Sequence, residues 1–394
     1  MKGRPLHLVL IIGLLLVITL LFLALYPDYS GPHKDGPPHA VYLLYTSSGS
    51  MVQLLNANQI DAFIVWEPVV STAILPGTAK MIATPGSMPP PGEWGDSACC
   101  VFVLRNDMIA KNTNVSALLS ALTTAAVLRV NENKSHAENI TAGWVFGTKP
   151  LLTASGTLNP VSVEQQAFTN INFTSHANPP DTESTGQPDG ETITGTYLMD
   201  HTVVGQGKQY LNGTLPLPET DDIVRVNLGY LPSSDHTAPL YVMVKDSDYF
   251  RERYGFCLAP DDPSDLRPEQ CTLFVNNQPV AYVNLVPGQS GGGIMTTIGQ
   301  GALDGAYIGS VPVELQIGLG NPSTMIQSIN SGGTGLVVRS KAPCDDWATF
   351  TEWSKVRSAE GRPLVIGVVQ SSIQESIIRS ALSYDNITVI MYDT

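Results

Sequence analysis

Trp66-Glu67-Pro68 closes an apolar run, residues 60–65, that suits a buried strand. An indole and a carboxylate at the C-terminal end of such a strand sit where open α/β sheets place their ligands. Three further groups share that placement. Ser233, Ser234, Asp235 and His236 follow an alternating strand at 224–230, Gly309 and Ser310 follow the apolar run 306–308, and Gln370, Ser371 and Ser372 follow the run 364–368. Gly333 and Thr334 follow a fourth strand, at 324–330. Each position lies where a strand runs out or a helix begins, so free N–H groups and the positive end of a helix can point at a small polar ligand. Structural roles compete with that chemistry. Trp66 could plug a core, Glu67 could cap a helix or pair with a lysine, and His236 could be a solvated helix-start residue. The Ser and Thr residues double as N-caps. Asp61 and Asp304 read as structural turn residues.

Reaction chemistry finds little support. The seven His are scattered without an H-E-x-x-H motif, and no G-x-S-x-G elbow is present. The acidic pairs Asp221-Asp222, Asp261-Asp262 and Asp345-Asp346 read as solvated loop residues. Gln289-Ser290-Gly291-Gly292-Gly293 opens a helix and lets backbone N–H groups approach a ligand, but no Gly-Lys-Ser/Thr follows, so it is not a phosphate loop. No catalytic set, metal site or cofactor is expected. None of the five Cys has zinc-type spacing. Cys257 and Cys271 flank a Pro- and Asp-rich loop and could form a disulfide outside the cell. Cys99 and Cys100 are adjacent in the strand-like segment 98–105; they read either as strand residues on opposite faces or as reactive or ligand-lining thiols.

The elements that must position these residues repeat. Residues 49–71 read as helix, tight turn and buried strand, and residues 293–314 echo them, with Asp304 matching Asp61. Two related lobes facing one cleft explain the echo. Further helices are expected at 115–130, 137–145, 194–211, 238–244, 344–361 and 373–382. A hairpin is expected around Asn276-Asn277, and a surface loop over about 175–195.

These stretches carry a resemblance. Residues 54–68 and 302–312 resemble the "G-x-I-D-A…W-E-P" and "G-x-L-D-x-G-Y-V-G" units of the substrate-binding proteins of ABC importers, in the nitrate/sulfonate/taurine and thiamine-precursor group. Residues 224–242 and 330–338 resemble two more of that family's segments. The resemblance covers about 40–172 and 222–394. It implies an α/β, two-lobed, periplasmic-binding-protein-like (type II) fold and assigns Trp66, Glu67, Ser233–His236, Gly309, Ser310, Gly333, Thr334 and Gln370–Ser372 to the cleft. The implied partners are a small-molecule ligand and an ABC permease. The segment order departs from the family: the W-E-P unit comes first, and the similar strands 41–45 and 387–392 stand at opposite ends. A circular permutation with a short duplication accounts for this. So does a piece of a tandem array that would exchange a strand with a neighbour into an oligomer. The expected lobes are 40–105 with 362–394, and 106–361. Eukaryotic thiamine-pyrimidine synthases resemble this family but carry a longer Cys run, so an enzyme of that type is the second reading. A glycosylated surface protein is the third.

The 43% hydrophobic and 14% charged composition, with 35 Gly and 29 Pro, suits a loop-rich globular α/β chain. A net charge of −14 argues against nucleic acid as partner. An uncharged run over 8–26, preceded by Lys2 and Arg4, is long enough to span a bilayer; residues 6–26 are expected to be an uncleaved signal anchor, after a cytoplasmic stub at 1–5. A Pro/Gly spacer at 27–39 would hold the bulk of the chain outside the cell membrane. Six sequons, at Asn114, Asn133, Asn139, Asn172, Asn212 and Asn386, are glycosylation candidates in an exported domain.

Overall fold

The computed structural model describes residues 39–153, 156–179, 182–183, 192–193, 199–219 and 222–392. The expected anchor and most of the 175–195 loop lie outside them. The fold is mixed α/β, with two sheets that each carry one lobe. From edge to edge the six-stranded sheet runs Thr388–Met391, Ala40–Tyr45, Leu364–Val368, Ala62–Trp66, Thr334–Arg339 and Ala79–Ala83. The eight-stranded sheet runs Phe256–Pro260, Gln270–Val275, Gln278–Pro287, Val224–Tyr230, Gly305–Gly309, Ala98–Arg105, Ser323–Gly332 and Ile171–Phe173. Ala62–Trp66, Gly305–Gly309 and Ala98–Arg105 are near-continuous apolar runs because both of their faces are covered, leaving no polar side to alternate. Ala62–Trp66 is buried at every position.

The internal echo is architectural. In each sheet two parallel neighbours, then two antiparallel strands, follow the same order. Leu364–Val368, Ala62–Trp66, Thr334–Arg339 and Ala79–Ala83 correspond to Val224–Tyr230, Gly305–Gly309, Ala98–Arg105 and Ser323–Gly332. The two aspartates do the same work. Asp61 Oδ2 accepts from Val365 N at 3.0 Å and Oδ1 pairs with Arg339 at 3.3 Å. Asp304 Oδ2 accepts from Asn227 N at 2.8 Å and Oδ1 pairs with Arg105 at 3.4 Å. Each ties a turn to the neighbouring parallel strand, as turn residues should.

Strand pairing moves the expected lobe boundaries. Ala98–Arg105 belongs to the eight-stranded sheet, not to the lobe of 40–83, and Thr334–Arg339 with the helix Trp347–Ala359 belongs to the six-stranded lobe. An apolar strand buried on both faces carries no mark of which sheet it joins; hydrogen-bonded neighbours decide. Among the described residues the chain therefore crosses between lobes twice, along residues 84–97 and at Gly332-Gly333.

The similar strands at the two ends lie side by side and parallel, Ala40 opposite Thr388 and Leu43 opposite Met391. The first copy also pairs with Leu364–Val368, so Thr388–Met391 forms the outer edge. The expected disulfide does not form. Cys257 stands opposite Phe274 and Cys271 opposite Pro260 in the antiparallel pair, three positions out of register, and both thiols are free and buried. Thr113–Glu132 is long and apolar enough to cross a membrane, yet most of it is buried inside the larger lobe, packed on His201–Leu211 and Ala238–Lys245. The Asn276-Asn277 turn, both residues at positive φ, forms the expected hairpin.

Candidate functional site

A cleft opens between the lobes where strands of both sheets end. Its inner part is lined by Trp66, Gln370, Ser371 and Ser372 from the six-stranded lobe, and by Cys99, Cys100, Ser234, His236 and Gly309 from the eight-stranded lobe. Leu231, Pro312, Val369 and Ile373 supply apolar wall. The inner space is about 30 Å³, room for a water molecule, so the lobes stand nearly shut. It shares Pro312, Val369, Gln370 and Ser371 with an outer cleft of about 670 Å³ bordered by Tyr45, Thr46, Ser47, Gln289, Ser290 and Gly293.

Three helices begin at this cleft. Ser372 caps Ile373–Tyr384, its hydroxyl accepting from Glu375 N at 3.2 Å. Ser290 caps Gly291–Gly299 in the same way. Ser310–Gly318 starts directly after Gly309. The partial positive ends of helices from both lobes thus face one space, an environment for oxygen-rich or anionic groups. Trp66, 8% exposed, lines this space, and its buried ring N–H has no acceptor among the described residues.

The other expected residues lie behind the wall or outside it. Glu67 is buried and does not reach the cleft: its Oε2 accepts from Ser71 N at 2.9 Å, capping the helix Val69–Ile74, and its Oε1 accepts from Asn170 Nδ2 at 2.6 Å. Ser310 is buried, donating to the Ala98 carbonyl at 2.8 Å. Thr334 is buried and accepts from Gln374 Nε2 at 2.7 Å. Gly333 stands at the lobe crossing with φ +72°; its carbonyl accepts from Glu67 N at 2.9 Å and faces His236 Nε2 at 3.0 Å. Ser233 is exposed to solvent away from these contacts. Asp235 is fully buried beside Glu67, with its backbone N–H donating to the Glu67 carbonyl.

Behind the cleft Glu67, Asp235 and Glu164 form a buried acidic group. The oxygens of Asp235 and Glu164 have no partner among the described residues except each other, a protonated Glu164 donating to Asp235. Burial pushes the Asp235 carboxyl up to about 8, and burial followed by the Asp235 charge pushes Glu164 well above the carboxylate range. Burial raises Glu67 too, against its two hydrogen bonds. Glu164 was invisible in the sequence because one Glu on a helix, Pro160–Ala167, reads as a solvated residue.

Cys99 and Cys100 are the residues that sequence left undecided. Both sulfurs turn toward His236, whose Nδ1 lies 3.3 Å from Cys99 Sγ and 3.6 Å from Cys100 Sγ. All three atoms fall within 4.8 Å of one another. The Cys100 thiol donating to it, and then the His236 ring, hold Cys99 well below the ordinary thiol range in spite of burial. His236 is pushed down by burial but rises overall through the Cys99 charge and the Gly333 carbonyl.

A family model described as NMT1-like matches residues 36–144 and 219–393. An uncharacterized protein of Methanocaldococcus jannaschii is 32% identical over 114 residues, 29% of this chain and 75% of that protein. Among solved structures, the unliganded open form of MppA, a periplasmic murein tripeptide binding protein, aligns with 74% of this chain at 11% identity and a TM-score of 0.26. The chain spans 51% of the length of MppA. The match that counts covers both lobes and every residue of the cleft, and by it the chain belongs to the NMT1-like family.

Proposed function

We propose that the protein is the solute-binding component of an ABC import system, capturing a small polar or anionic ligand between its lobes. The observation that carries this reading is the interlobe cleft onto which helix N-termini from both lobes converge, with Trp66 in its wall. Two chain crossings, one of them through two glycines, suit a hinge that opens and closes that cleft. Arg and Lys are absent from the residues lining the inner cleft, so an anion would be held by N–H groups and hydroxyls. Sulfonates, nitrate, taurine and pyrimidine-like heterocycles fit that chemistry. Family membership supports a binding role over an enzymatic one. We further propose a membrane-anchored, extracytoplasmic location. All six sequon asparagines are solvent-exposed, which agrees with glycosylation.

Ligand-dependent melting tests the reading. A ligand that binds only the folded chain raises its stability by about 2.7 kcal/mol at a hundredfold excess over Kd. Replacing Trp66 or Ser372 with Ala should reduce that gain; an undiminished gain in both variants would place the ligand elsewhere.

A further inference from the structure

We propose that Cys99 is a nucleophilic thiol, activated by His236, that reacts with small soft electrophiles entering the interlobe cleft. Three observations carry it. Cys99 Sγ lies 3.3 Å from His236 Nδ1, within reach of a proton transfer. The far side of the ring is fixed, because Nε2–H donates to the Gly333 carbonyl at 3.0 Å and leaves Nδ1 as the acceptor toward the sulfur. Both residues line the inner cleft. Nucleophile, base and a third group that orients the base is the arrangement by which proteins activate thiols. The other charged or titratable groups facing the pair are Cys100 on the same strand, Asp235 next to His236, and Glu67 across the crossing. The Cys100 sulfur lies within 4.8 Å of the Cys99 sulfur, and a thiol there favours the Cys99 thiolate.

The remaining thiols differ. Among the described residues Cys257, Cys271 and Cys344 have no histidine partner, and burial pushes each upward, Cys271 to about 12 and Cys344 to about 11. Gly333 also marks where the chain crosses between lobes, so the bond that orients His236 is tied to the hinge. The inner space of about 30 Å³ excludes anything larger than water, so the thiol meets a reagent only when the lobes part.

Iodoacetamide is the probe. The Cys99 sulfur forms a bond to the reagent's methylene carbon, the carbon–iodine bond breaks, iodide leaves with the electron pair, and the thiol proton passes to His236 Nδ1. The full-length protein is labelled between pH 5.5 and 9 and each cysteine followed by peptide mass spectrometry. Cys99 should label first, with a rate-against-pH midpoint below the ordinary thiol value of about 8.5. His236→Gln should slow labelling at pH 6 at least tenfold and move the midpoint upward, while Cys100→Ser leaves Cys99 the most reactive thiol. Three results would overturn the proposal: a wild-type midpoint at or above the ordinary thiol value, superimposable profiles for wild type and His236→Gln, or no labelling of Cys99 at any pH. If the His236 variant does not fold, the wild-type midpoint decides. The test needs no solute, so its failure leaves the transport reading standing.

Discussion

At the residue scale the site divides into groups that face the cleft and groups that hold those in place. Trp66, Ser234, His236, Gly309 and Gln370–Ser372 face it, as strand-end positions should. Glu67 does not, because a helix starts one residue beyond Pro68 and its free N–H groups claim the carboxylate first. A strand-end rule cannot separate a ligand-facing acid from a capping one; burial and the Asn170 amide settle it here. The buried acids make a pH prediction. The Asp235 carboxyl sits at about 8 in the fold against an ordinary value near 4, so the folded chain binds more protons between those limits. Stability should therefore fall as pH rises from about 5 to 8. Glu164 and Glu67, both raised, act in the same direction; the raised His236 does too, but its partner Cys99, held low, acts the opposite way and offsets it. Asp235→Asn should flatten that dependence and raise the pH 8 melting midpoint, by an amount on the order of 1 kcal/mol. A wild-type midpoint that rises from pH 5 to pH 8 would contradict the protonated cluster.

At the element scale the repeated helix–turn–strand unit was the most legible feature, because its glycines, aspartates and apolar runs recur in order. The aspartates proved to pin parallel strands through equivalent arginines, Arg339 and Arg105. What sequence could not tell was where Ala98–Arg105 belongs, since a uniformly apolar strand fits either sheet. Nor could it give the hairpin register that keeps Cys257 from Cys271. Two predictions belong here. Gly333 has φ +72°, and a methyl group on it would overlap the His236 ring and lie 2.8 Å from Ile171. Gly333→Ala should cost roughly 2 kcal/mol or more in urea unfolding; an unchanged midpoint would mean that the crossing is not constrained as described. Removing residues 388–394 would leave Ala40–Tyr45 as a bare edge with free N–H and C=O groups. The shortened chain should self-associate in size-exclusion chromatography at concentrations where the full chain does not. A truncated chain that stays monomeric would show that the outer strand does not guard the sheet.

At the scale of the whole molecule, two lobes joined by two crossings enclose a nearly shut cleft with a wide outer mouth. The lobes and the cleft followed from a repeated pattern and from four motif-bearing stretches. The lobe boundaries required hydrogen-bond partners far apart in the chain, Ala98–Arg105 beside Gly305–Gly309 for one. If the chain is exported through a glycosylating pathway, protein purified from its native membrane should lose mass on treatment with an amidase that removes N-linked glycans; no loss would count against the glycoprotein proposal. The central claim is that this cleft closes on a small solute. Its most direct test is the thermal melting of the purified protein against sulfonates, nitrate, taurine and pyrimidines, run in parallel on Trp66→Ala. The account predicts that at least one compound raises the wild-type midpoint, by about 2.7 kcal/mol at a hundredfold excess over its Kd, with the gain lost or sharply reduced in the variant. A folded protein that responds to none of them, or a gain that survives in Trp66→Ala, would contradict it.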